Sequence, residues 1–290
     1  MQEIFAWYDN PMQKSFLRET AGTVMKATVV VLTIVIVIFS VSALYQVESG
    51  ISDGSCNIAV LPVEGVILPY YGLADFDLVI TPEIVDSFMA SVEEDDNIDA
   101  ILIEINSPGG TPVASQRVAD RFRDSSLPVV SLIGDIGASG GYMVAAAADA
   151  IVASPMSNVG SIGVNMSYLE ESEKNEEEGI TYVQLTTGEY KDAGSPNRPI
   201  TEAEREKFQA DLDIVHNEFV SIISNYRNMS IEDVELVADG ASMPGTRALD
   251  AGLIDYLGGR AEARGVLASL TGKSLAETRF CEYQDNFLPF

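Results

Sequence analysis

The sequence predicts an α/β domain with parallel strands, preceded by a single apolar helix. Three observations predict it. Apolar runs of strand length alternate with amphipathic stretches of helical period, the pattern of strand–helix–strand units feeding a parallel sheet. Two of the strand-like runs end in glycine-rich turns, SPGG at 107–110 and GASGG at 137–141. Residues 27–47, ATVVVLTIVIVIFSVSALYQV, carry no charge over a length that spans a hydrocarbon core as a helix.

The elements follow in order. Residues 1–26 form a polar N-terminal tail, 27–47 the apolar anchor and 48–57, ESGISDGSCN, a short linker. The run NIAVLPVEGVIL reads as a strand interrupted by Pro62 and Gly65. Thr81 caps a helix that has Pro82 at its first position, with Ile84, Val85, Phe88, Met89 and Val92 on one face. DAILIEIN, 99–106, is a buried strand, SPGG its turn and VASQRVADRFRD a helix. LPVVSLIGD is a second buried strand, followed by the Ser139 turn and the small-residue helix YMVAAAADA; DAIVASP is a third short strand. GITYVQLTTG reads as a later strand. Thr201 opens a long amphipathic helix, and Glu204 three residues on completes a capping box. The globular region is expected to run over 58–272, with 273–290 as a C-terminal tail.

Charge sets the compartment and excludes one class of partner. The chain holds 17 Lys+Arg against 44 Asp+Glu, a net charge of -27. Such a surface repels a phosphate backbone, so no nucleic-acid partner is expected. Lys14, Arg18 and Lys26 precede the apolar segment, and no Lys or Arg follows it until Arg117. Positive residues stay on the cytoplasmic side, so the N-terminus is expected inside and the bulk of the chain outside, as a single-pass membrane protein. Cys56 and Cys281 lie on that outer side, where oxidation permits a disulfide; two unpaired thiols are an equal alternative.

The two glycine turns carry the chemistry. A strand that ends in glycines and turns into a helix points backbone N–H groups outward, in a field that favours negative charge. Gly109 or Gly110 on the first turn, with Gly140 on the second, are candidate donors to a developing oxyanion. Ser139 is the candidate nucleophile, although a serine before a helix serves most often as a cap. A base must remove its proton. The single histidine, His216, lies in the middle of a helix and reads as packing or a surface hydrogen bond. Lys174 and Lys207 sit among carboxylates and Lys273 in the tail, which leaves Lys191, in a polar turn between Gly188 and Gly194. An ordinary lysine is neutral in only about one part in a few thousand at pH 7, so this role requires a desolvated amine. Ser161 is a candidate to orient it; an exposed loop lysine is the alternative.

INSPGG, GD-x-x-ASGGY, GSIGV, GEYKDAGSP and LVADGASMPGTRALDAGLIDYLGG, in this order over about 57–272, resemble the signal peptide peptidase A family of membrane-anchored serine peptidases. The resemblance implies a crotonase-like, Clp-type α/β spiral of β-β-α units. It implies Ser139 as nucleophile, Lys191 as general base and Ser161 holding the amine, with signal peptides left in the membrane as substrates and no cofactor or metal. The short members of that family assemble as rings in which a neighbour's lysine completes each serine site. With one copy of each motif, this chain resembles the short form and is expected to form a homo-oligomer. Met143 and Asn197 stand where a Tyr or Phe is common in the family. Two other readings stand beside it: a crotonase-like acyl-thioester hydratase or hydrolase using the same oxyanion glycines, and a non-catalytic membrane scaffold that keeps the ring fold.

Overall fold

The computed structural model describes residues 11–44, 51–72 and 78–282. It divides into two compact units, 1–49 and 50–290. In the first, helix α1, Pro11–Leu44, is continuous. Its window Thr20–Val37 has mean hydropathy 2.0 and no buried residue, and it is long and apolar enough to cross a membrane. The helix therefore begins well before residue 27. Residues 45–47 of the expected anchor and 48–50 of the linker lie outside the described residues.

The second unit is a mostly parallel α/β fold, as the alternation of periods predicts. Its strands are β1 Ile58–Ile67, β2 Val79–Ile80, β3 Ala100–Gly110, β4 Val129–Ala138, β5 Ala150–Ala153, β6 Asn158–Gly160, β7 Ser242–Pro244, β8 Tyr256–Leu257 and β9 Phe280–Glu282. The helices of this unit are α2 Pro82–Glu93, α3 Pro112–Arg123, α4 Gly140–Ala146, α5 Ser172–Glu177, α6 Glu202–Arg227, α7 Ile231–Glu235, α8 Gly245–Asp250 and α9 Arg260–Thr271. The sheet runs β2-β1-β3-β4-β5-β8; β9 joins β1, and β6 bridges β4 to β7. All pairings are parallel except β6 with β7.

Both faces of the sheet are buried, which is why its strands read as near-continuous apolar runs. Ala59, Leu61 and Val63 of β1 and Ile101, Ile103 and Ile105 of β3 face the larger core, which includes Phe88, Phe122, Tyr142 and Phe219. Their alternates Ile58, Val60, Ala100 and Leu102 face Ala263, Val266 and Leu267 of α9.

Three expectations need correction. Pro62 and Gly65 do not divide β1: the strand runs through both and absorbs Gly65 as an irregularity in its register with β3. SPGG is not a turn after β3 but its last four residues, pairing Val66 with Gly109 and Ile67 with Gly110 after the register shift. GITYVQLTTG forms no strand, and Ile180, Val183 and Leu185 are exposed. A strand requires a partner edge, and none of the described strands pairs with that stretch.

Both ends of the second unit are fastened. Cys56 and Cys281 form a disulfide, and Ile58–Val60 pair with Phe280–Glu282. Ser52 of the linker is buried, its N–H donating to Asp95 at 2.7 Å and its hydroxyl to the Cys56 carbonyl at 2.5 Å.

Candidate active site

Two strand ends meet at the site. β3 brings Gly109 and Gly110, and the neighbouring β4 brings Ser139 at the junction with α4. The two segments pack backbone against backbone. A Cβ on Gly109 would lie 2.6 Å from the Gly140 nitrogen and 2.9 Å from Ser139 Cβ, and Gly109 itself sits at φ +96°. A Cβ on Gly140 would lie 2.1 Å from Ser115 Oγ, with the Gly110 nitrogen 3.3 Å away. Side chains at these positions would push the two strand ends apart.

Ser139 occupies the N-cap position of α4 but does not cap it: φ is +52°, ψ is -124°, and its side chain makes no capping hydrogen bond. Backbone bonds hold the residue in this conformation, its N–H donating to Gly160 O at 2.7 Å and its carbonyl accepting from Met143 N at 3.0 Å. Every residue of α4 is buried behind it, and Tyr142 donates from its hydroxyl to Leu253 O at 2.8 Å. Burial pushes the Tyr142 phenol far above its ordinary range, so it stays a neutral donor.

Two cavities converge on Ser139. One, of about 780 Å³, is lined by Gly109, Gly110, Ser161, Asp213, His216 and Asp239 beside Ser139. The other, of about 450 Å³, is mostly apolar and lies between α3, α4 and α6, with Val113, Met143, Ile214, Phe219 and Ile222 beside Ser139 and Gly140. These volumes are those of ordinary ligand clefts.

The expected donors separate on inspection. The Gly109 N–H already donates to Ser107 Oγ at 3.1 Å, and Ser107 in turn donates to Gly65 O at 2.7 Å. The Gly110 nitrogen lies close to Gly140, 3.3 Å from where a Cβ on that residue would stand. Ser161 holds φ +53° and donates its hydroxyl to Gly240 O at 2.9 Å. Its proton is thereby committed, and its oxygen lone pairs remain able to accept a bond from an amine.

Lys191 is not brought to Ser139 within one chain. It lines neither cavity and is exposed, on a turn where its N–H donates to Gly188 O at 3.1 Å. Two residues stand at the site where the sequence reading did not place them. His216, set aside as packing, is half-buried and lines the larger cavity with Ser139. Ser115 is fully buried behind Gly140, and its hydroxyl is the one buried side-chain polar atom among the described residues with no hydrogen-bond partner. Helical spacing from α6 carries a signal for His216, since 209, 212, 213 and 216 share one face; no sequence signal marks Ser115.

Comparison with known proteins gives concordant results. Residues 121–273 match the family described as Peptidase family S49. A relative in Methanocaldococcus jannaschii is 36% identical over 193 residues, covering 66% of this chain and 62% of its own length. The chloroplastic serine protease SPPA of Arabidopsis thaliana is 31% identical over 218 residues, covering 74% of this chain and 32% of that protein. This chain thus spans less than two thirds of the length of either relative. The solved structure of 1510-N, a membrane-bound stomatin-specific protease, superposes with a TM-score of 0.52 at 16% identity, over 80% of this chain and 99% of that one. At that identity the likeness concerns the fold.

Proposed function

This chain belongs to peptidase family S49, the signal peptide peptidase A family, and on that premise we propose that it is a membrane-anchored serine endopeptidase working through a Ser139–Lys191 dyad. The observation that carries the reading is Ser139 itself: a serine in a strained backbone conformation, uncapped, open to two cavities and flanked by glycine N–H groups. A structural cap has no use for that conformation, whereas a nucleophile does.

Lys191, supplied by a neighbouring copy of the chain and held by Ser161, takes the Ser139 proton. The alkoxide attacks a peptide carbonyl, and the oxyanion accepts bonds from the N–H groups of Gly110 and Gly140. Collapse of this intermediate returns the lysine's proton to the leaving amine and leaves an acyl-serine. Lys191 then takes a proton from a water, whose oxygen attacks the acyl-serine; as the acyl–Oγ bond breaks, the lysine returns that proton to Ser139 and the acyl product leaves. The apolar cavity bounded by Met143 and Phe219 receives an apolar side chain next to the cleaved bond, which suits signal peptides as substrates. Helix α1 supports the anchor, and the Lys14, Arg18 and Lys26 cluster supports a cytoplasmic N-terminus with the peptidase domain outside. The exposed apolar stretch at 180–185 supports a homo-oligomer that covers it and completes the dyad.

His216 favours a second reading, a serine–histidine pair within one chain, because it shares the cavity with Ser139. One experiment separates the two. Fluorophosphonate labelling of the full-length protein is expected to disappear in Ser139→Ala. It should fall by at least about 100-fold in Lys191→Ala and stay near wild type in His216→Asn. Labelling that persists in Ser139→Ala defeats both readings, and the opposite ranking of the lysine and histidine variants establishes the second. Turnover of an acyl thioester instead of a peptide would favour the crotonase-like alternative.

A further inference from the structure

We propose that Arg198 is the positioning residue for the Lys191 turn, a role that rests on the reading of Lys191 as the general base. The turn has little else to hold it. Residues 181–191 are exposed throughout, and the turn is closed by local bonds of Lys191 to Gly188, Ala193 to Tyr190 and Ser195 to Asp192. A base that must reach a serine on another chain needs a fixed starting point.

Arg198 supplies one. Its Nε donates to Asp192 Oδ2 at 3.1 Å and its Nη2 to the Asp192 main-chain carbonyl at 3.0 Å. From its other edge it grips both carboxylate oxygens of Glu204, with Nη1 to Oε2 at 3.0 Å, and Nη1 also donates to the Pro199 carbonyl at 3.3 Å. The second Asp192 oxygen accepts from the Tyr182 hydroxyl at 2.7 Å. Glu204 is anchored in turn: it is buried in the first turn of α6 and accepts the Thr201 N–H at 2.9 Å. The path from helix α6 to the exposed turn is therefore Glu204, Arg198, Asp192, with Lys191 the next residue along the chain.

The geometry argues against a purely capping role. The start of α6 is already capped by Thr201 and Glu204 acting on each other. The bonds of Arg198 to Asp192 add nothing to that cap and fix instead the stretch of backbone that carries Lys191. A planar guanidinium reaches a carboxylate, a main-chain carbonyl and a second carboxylate together; a lysine ammonium, with one point of charge, does not.

The test is steady-state peptide hydrolysis by the full-length protein, with melting temperatures measured alongside. Arg198→Lys keeps the charge and loses the fork. It is expected to lower kcat by about 100-fold, the cost of a misplaced catalytic group, while KM changes by less than about twofold. Arg227→Lys is the control. It weakens another half-buried ion pair, the 2.8 Å contact of Arg227 with Asp255, which lies among residues that line neither cavity. It should lower the melting temperature without lowering kcat. If Arg198→Lys loses no more kcat than Arg227→Lys, or raises KM alone, the positioning role is overturned. Lys191→Ala separates the layers. An active Lys191→Ala enzyme defeats the base assignment and the proposal with it; an inactive one beside a fully active Arg198→Lys defeats the positioning role only.

Discussion

Ser139 combines φ +52° with ψ -124°, which lies outside the left-handed helical well that Asn228 occupies at φ +51°, ψ +42°. A non-glycine residue held there costs about 1–3 kcal/mol. Glycine adopts the same angles freely but loses about 0.5–1 kcal/mol through the greater entropy of its unfolded chain. The strain is the larger quantity, so Ser139→Gly is expected to abolish labelling and yet raise stability by about 1 kcal/mol. In a domain of this size that is about 2–4 °C in melting temperature, measurable by calorimetry. A variant less stable than wild type would mean that the backbone is not strained. Part of this residue's chemistry was legible beforehand. Glycines on both sides of a serine at a strand–helix junction point to an exposed hydroxyl, but whether that hydroxyl caps its helix depends on φ and ψ, which composition does not carry. The engagement of the Gly109 N–H was equally hidden, because it depends on Ser107, whose hydroxyl accepts it.

At the scale of elements, the N-terminus of α6 shows what local sequence specifies well. Thr201 and Glu204 form the capping box their spacing predicts, because both partners lie within one turn. What spacing does not show is that Glu204 also receives Arg198. The hydrogen bonds from that guanidinium, followed by the Thr201 N–H, hold its carboxyl down at about 2, against an ordinary 4.5. A carboxyl with a depressed folded-state pKa contributes stability that is full above its unfolded pKa and is lost as pH falls through the folded one. The melting-temperature gap between wild type and Glu204→Gln is thus expected to be constant above about pH 5 and to close between about pH 4.5 and 2. Other carboxylates, such as Asp95 and Asp99, are also lowered, so the difference between the two proteins isolates Glu204 where the absolute acid stability does not. A gap unchanged down to pH 2 would refute the coupling. The strands show the converse. Residues 180–186 have strand composition and form none, since pairing depends on an edge elsewhere, whereas β3 extends through SPGG because β1 offers one.

For the whole molecule, sequence periodicity determined the layered α/β plan, and it left long-range pairings open. Cys56 and Cys281 are 225 residues apart and were equally compatible with free thiols; the parallel pairing of β1 with β9 is what brings them together. The relation of Ser139 to Lys191 is a question of the same kind, although the two lie closer together in sequence. One chain carries both residues, exposes the lysine and gathers the serine, Ser161 and the glycines at a cavity that the lysine does not line. If each site is completed by a neighbouring copy, two inactive variants should complement each other. Ser139→Ala retains the lysine and Lys191→Ala retains the serine. Dissociated, mixed in equal amounts and reassembled, they are expected to regain activity at about a quarter of their sites, the fraction in which an intact serine meets an intact lysine across a head-to-tail interface. A dyad closed within one chain gives no recovery at any mixing ratio, because every chain then lacks one of its own two groups. Recovery that requires reassembly, and is lost on dilution below the association range, would tie the chemistry to the oligomer and account for the exposed apolar stretch at 180–185 by the same contact.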